Sequence, residues 1–126
     1  MTEASIPLSE QAAALDEYWS QQVVGEANGS VFRVAKGVGS TNWHHHDDQD
    51  EVFVVTHGEL IVELESGDVR VGAGEMFIVP RGVEHRPRAD AEARFLIVGT
   101  TITSSAAGGK PAWSVGGGGP PADGAG

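Results

Sequence analysis

The chain has 126 residues, 40% of them apolar, and no cysteine. That is enough for one domain with one core, and it excludes a disulfide framework or a thiolate metal site. The net charge of −10 at neutral pH makes nucleic acid and anionic membrane poor partners, while it favours solubility and attracts cations. No apolar run approaches membrane-spanning length, and the opening MTEASIPLSE lacks the basic-then-apolar order of a secretory signal, so a cytoplasmic protein is expected.

Residues 1–22 read as an N-terminal arm: 1–7 are loose, and 8–19 suit a short helix that Ser9 could cap. Residues 23–27 and 30–36 read as strands joined by Asn28-Gly29, the strongest short hairpin signal. Gly37 and Gly39 are expected to end the second strand. Residues 43–58, WHHHDDQDEVFVVTHG, then hold four of the five histidines. On an extended strand His44 and His46 point to one face and His45 to the other. The four residues from Asp47 to Asp50 read as a polar turn, and Glu51 opens a strong β-former run, VFVVT. Two imidazoles and a carboxylate on adjacent strands can hold a divalent metal and leave coordination positions open. His85 could supply a further ligand. A solvated histidine loop that binds nothing is the alternative.

Beyond Gly58 the stretch ELIVELE alternates. Leu60, Val62 and Leu64 share one face, and Glu59, Ile61, Glu63 and Glu65 share the other. Ser66-Gly67-Asp68 is a turn, 69–71 resume the alternation, and Gly72 and Gly74 turn the chain again. Residues 76–79 form a short apolar strand stopped by Pro80. Residues 93–101 form a last strand, apolar on both faces, which predicts burial between sheets or at a subunit contact. From residue 104 onward the composition turns to Gly, Ala and Pro, so 23–103 is the expected barrel and 104–126 a disordered tail. Trp113 is that tail's one large apolar group, either docked or idle.

Many short strands, tight turns and little helix predict an all-β sandwich or jelly-roll barrel. Two motifs make the likeness specific. The pattern H-x-H-x4-E-x6-G falls on His44, His46, Glu51 and Gly58, and G-x5-P-x-G-x2-H falls on Gly74, Pro80, Gly82 and His85. In this order and separation they resemble the cupin superfamily, over roughly residues 39–89. The overall texture is similar to small single-domain bacterial cupins that carry a sugar-isomerase-like label. Gly39 sits one residue closer to His44 than the pattern has it, and Ala89 replaces a common Asn; neither is a ligand position.

The resemblance implies a double-stranded β-helix holding one metal on His44, His46, Glu51 and His85. Fe(II) or Mn(II) is favoured, and Ni(II), Co(II) and Zn(II) are compatible. Asp50 is the rival of Glu51; Glu51 is preferred because it begins the strand while Asp carries the turn. Alternation and the family likeness place Phe53, Val55, Leu60, Val62, Phe77, Val79 and Phe95 inward, around a largely apolar substrate pocket. His57 is expected to be exposed and neutral in role. Two functions remain: a metalloenzyme (an oxygenase, or a Lewis-acid isomerase or cyclase) acting on a small molecule, and a non-catalytic, metal-dependent small-molecule binding or sensing protein. A homodimer is expected, with Trp43 and Ile61 outward as contact candidates.

Overall fold

The computed structural model describes residues 4–100, 108–115 and 119–120. One short helix, α1 (Leu8–Ala13), precedes seven strands: β1 (Gln22–Ala27), β2 (Ser30–Ser40), β3 (Glu51–His57), β4 (Glu59–Leu64), β5 (Gly67–Gly72), β6 (Met76–Val79) and β7 (His85–Gly99). All pairings are antiparallel, in the order β1-β2-β7-β3-β6, with β4 joining β5 to the first part of β7. The all-β jelly-roll barrel expected from the sequence is the fold observed. β7 organises it. Its first half pairs with β4 and its second half with β3, while β2 runs along its other side.

Several boundaries differ from expectation. The helix is shorter than residues 8–19 and is capped at Pro7 with no side-chain hydrogen bond, so Ser9 is not the cap. The chain leaves the helix because Trp19 must turn back: it has φ 64°, its amide donates to Lys36 O (2.7 Å), and its indole N–H donates to Val38 O (3.0 Å). Its ring lies over Gly37, where a Cβ would overlap it. Gly37 and Gly39 do not end β2. They carry it through a bulge, where the register jumps from Gly37↔Ala93 to Gly39↔Ala89, and Gly39 takes φ 74°. β7 begins eight residues before residue 93, at His85, because neighbouring strands pair with both of its edges. Its side chains alternate between buried and half-buried rather than being buried on both faces.

The interior is apolar. Phe53, Val55, Leu60, Val62, Val79 and Phe95 are all at most 2% exposed, and Phe77 packs against them half-buried. Burying each such side chain contributes roughly 1.5–3 kcal/mol. Ile61 is a correction: although it is outward by alternation, it is fully buried, in register between Arg70 and Arg88. Arg88 pairs with Glu63 (3.0 Å) and Asp68 (3.1 Å), so an ionic network surrounds that position.

Much of the segment expected as a tail, and residues 101–103 at the barrel's end, lie outside the described residues. Residues 108–115 are described, and they lie against the barrel. Asn42 N–H donates to Gly109 O (2.9 Å), and Lys110 pairs with Glu17 and Ser20. A 3-10 turn, Ala112–Ser114, buries Ser114 and sets Trp113 against the core, with its ring 6.5 Å from that of Tyr18. Trp113 is therefore docked.

Candidate metal centre

The centre is built at the end of the barrel where β3 and β7 begin. His44 and His85 form an isolated antiparallel bridge, with backbone hydrogen bonds in both directions (3.0 and 2.9 Å). This stitch brings the first motif to the second. His46 O accepts from Gly82 N–H (2.7 Å), so the Pro80-Arg81-Gly82 turn also holds the histidine strand. Glu51 is the first residue of β3 and points inward with Phe53 and Val55. Donor atoms of His44, His46, Glu51 and His85 all lie within 4.8 Å of one another. Opposite ligands of a divalent ion with bonds near 2.1 Å sit about 4.2 Å apart, so inward movement of a few tenths of an ångström would complete the shell.

The hydrogen bonds orient the rings for that task. His44 Nδ1–H donates to Asn42 O (2.8 Å) and His85 Nδ1–H to Val83 O (2.9 Å). Each ring is thereby fixed in the tautomer that leaves its Nε2 lone pair free. His85 Nε2 lies 3.3 Å from Glu51 Oε1, and His46 Nε2 lies 3.4 Å from Glu51 Oε2. His46 Nε2 is buried yet lacks a well-formed hydrogen bond. A buried polar atom without a partner calls for an occupant, and three imidazoles with one carboxylate suit a first-row divalent ion. The donor set therefore fits a metal.

The electrostatics agree. Burial pushes the His44 imidazole down to about 4, which keeps it neutral. The neighbouring Glu51 carboxylate raises His46, partly opposed by burial. Burial pushes Glu51 upward, but His46 and His85 outweigh it and hold the carboxyl at about 2, so it is ionised.

The other acids and histidines lie outside this group. Asp50 Oδ1 accepts from Arg81 N–H (2.9 Å) on the surface turn, so it belongs to the turn and not to the centre. His45 turns outward to Glu84 (2.9 Å), and His57 is exposed.

A cavity adjoins the centre, reaching from His44 and Glu51 to Phe53 and Phe95. Its space for water-sized groups is about 20 Å³, which is room for about one water. Of the seven residues expected around a pocket, only these two phenylalanines line it. Val55, Leu60, Val62, Phe77 and Val79 fill the core instead. Its other walls include Trp19, Gln21, Thr41, Ile97 and Gly108. Sequence reasoning missed them because they arrive from the arm, the bulged end of β2 and the C-terminal segment, and no local pattern joins these. A Cβ on Gly109 (φ 76°) would overlap the His44 ring, so this glycine lets the C-terminal segment lie directly over the histidine.

Residues 30–99 match the family model for the cupin domain. The chain is similar to an uncharacterized protein of Bacillus subtilis, YdbB, with 36% identity over 67 residues, which are 52% of this chain and 59% of that one. It is more distantly similar to 3-hydroxyanthranilate 3,4-dioxygenase of Xanthomonas euvesicatoria, with 26% identity over 58% of this chain and 44% of the enzyme. The chain thus spans about half the length of these curated relatives. Among solved structures, a cupin-2 domain protein of Shewanella frigidimarina superposes with TM-score 0.70 at 35% identity, covering 74% of this chain and 91% of that one.

Proposed function

The chain belongs to the cupin family, and on that premise we propose that it is a mononuclear metalloenzyme acting on a small organic molecule at the mouth of the barrel. The observation that carries this reading is the convergence of His44, His46, Glu51 and His85 within 4.8 Å beside a cavity walled by Trp19, Phe53 and Phe95 as well as by Gln21 and Thr41. A divalent metal held there supplies Lewis acidity and, as iron, oxygen chemistry. The chain's own contribution is positional. The backbone carbonyls of Asn42 and Val83 fix two imidazoles, the ionised Glu51 supplies the one negative donor, and Phe53, Phe95 and Trp19 exclude water. No second buried carboxylate stands by to act as a separate general base among the described residues. That favours reactions carried by the metal: oxygenation first, then isomerisation or cyclisation of a carbonyl compound. The aromatic side of that wall, Trp19, Phe53 and Phe95, suits an aromatic or largely apolar substrate better than a free sugar. The distant likeness to a dioxygenase supports the oxygenase arm.

The test is oxygen uptake and substrate turnover by the Fe(II), Mn(II), Ni(II) and Zn(II) forms against a panel of phenols, catechols and carbonyl compounds. Turnover by the Fe(II) or Mn(II) form is expected. Equal turnover by metal-free protein would defeat the enzyme reading. One observation favours a second reading: the cavity admits only about one water-sized group, ≈ 20 Å³, which suits a metal-dependent binding or sensing protein. Saturable ligand binding with no turnover in any form would establish that alternative.

We propose a cytoplasmic homodimer. Among the described residues no helix is long and apolar enough to cross a membrane, and the absence of cysteine suits a reducing compartment. Trp43, Met76 and Ile78 remain 45%, 63% and 46% exposed. The last two lie on β6, which among the described residues pairs with β3 alone and ends the sheet order. Sedimentation at micromolar concentration is expected to give twice the chain mass; a monomer would refute it.

A further inference from the structure

Arg33 stands on β2 in the barrel interior and is fully buried. In register it faces Ile97, which in turn faces Phe53, so it lies on the same face of the sheet as these two cavity-lining residues. Its Nη1 donates to Gln21 Oε1 (2.6 Å), and Gln21, Ile97 and Glu51 all line the cavity. Its Nε and Nη2 are buried and have no hydrogen-bond partner among the described residues. The Gln49 amide packs over Gly99 on this side: a Cβ there would overlap Gln49 Oε1 and come within 3.2 Å of Nη2. No carboxylate lies within ion-pair distance of Arg33 among the described residues; the carboxylate whose field it feels is Glu51.

A buried guanidinium with two idle donors is costly and marks a missing acceptor. Charge says what the acceptor is. Once a divalent ion is held by three neutral imidazoles and the Glu51 carboxylate, one positive charge remains on the centre, and Arg33 adds a second beside it. Two like charges in a dry barrel end repel unless an anion lies between them. A cation in this place gains nothing for metal binding alone.

We propose that the cavity is an anion site, taking a carboxylate-bearing ligand whose oxyanion lies between the metal centre and the Arg33 guanidinium, with Gln21 occupying the guanidinium until the ligand arrives. The inference rests on the metal-binding reading above and narrows its substrate class: among aromatic and carbonyl compounds, those that carry a carboxylate. Guanidinium and carboxylate match in planar geometry, and charge-assisted hydrogen bonds of this kind are about twice as strong as neutral ones.

The test uses the full chain loaded with Co(II), whose visible spectrum reports a new ligand without any turnover. Formate, the smallest carboxylate, and its neutral isostere formamide are the probes; one oxygen of either takes the water-sized space and the rest displaces the Gln21 side chain. Formate is expected to bind at least about tenfold more weakly to Arg33→Met than to the native protein. Arg33→Lys should recover part of the loss, and formamide binding and Co(II) content should be unchanged. Gln21→Ala, which keeps the guanidinium and removes its competitor, should tighten formate; this variant carries the test if Arg33→Met does not fold. Formate affinity equal in all of these proteins, or an equal loss for formate and formamide, would overturn the anion site while leaving the metal centre standing. Failure of the native protein to take up Co(II) would overturn both.

Discussion

Restoring Mn(II) or Fe(II) to metal-stripped protein, with free metal at about 100 times its Kd, is expected to stabilise the fold by about 2.7 kcal/mol and raise Tm by about 10 °C. The effect is large because the four donors come from separated parts of the chain. His44 and His46 precede the loop, Glu51 opens β3, and His85 opens β7. Metal binding joins them, whereas the unfolded chain offers no preformed site. The same experiment has a definite pH dependence. Protons compete with the metal for the imidazoles, so affinity falls as pH drops. His46 takes the competing proton first, because Glu51 beside it raises its pKa, whereas His44 stays neutral down to about 4. The loss should therefore set in at or above the ordinary histidine range, near pH 6.5, and precede any unfolding. Differential scanning calorimetry with and without metal, at pH 8 and pH 5.5, measures both effects. A Tm that ignores every divalent ion tried would remove the metal centre from the account.

The second large effect is on turnover. His46→Ala and His85→Ala are each expected to lower activity by more than the roughly 10–100-fold that removing an outer partner of a metal ligand costs, and to leave the barrel folded. His85 is the stricter case, since its side chain is wholly buried. Its structural role, however, lies in the backbone, where N–H and C=O both bond to His44. Alanine keeps those bonds. The side chain leaves a small cavity, and Val83 O loses the Nδ1–H donor, at a cost of about 1–3 kcal/mol. His45→Ala is the control: its ring faces Glu84 on the surface and should not matter. Circular dichroism and metal content, measured beside turnover, separate the two effects. Activity retained in His85→Ala with metal bound would show that the ligand set is wrong.

The candidate site was legible in the sequence to the extent that it is local. Alternation separates His44 and His46 from His45, Glu51 follows at the start of a strand, and a Pro-Gly turn delivers His85. In each case a strand's period of two decides which way a side chain points. Fold class was legible for the same reason, from short alternating runs broken by glycine.

Tertiary structure decided everything that depends on which strand lies beside which. Alternation tells a residue's face but not its depth, so Val55, Leu60, Val62, Phe77 and Val79 read as pocket and are core. Ile61 reads as outward and is buried between Arg70 and Arg88. Gly37 and Gly39 read as breakers. They instead admit the Trp19 ring and carry a bulge, because a missing Cβ can serve close packing as readily as a turn. Arg33 carries no signal in the sequence, since a charged residue in a strand is usually solvent-facing. Only the pairing of β2 with β7, across more than sixty residues of chain, puts it inside the barrel beside Glu51. Such contacts are fixed by the summed packing of the whole sheet, and no window of the sequence contains them.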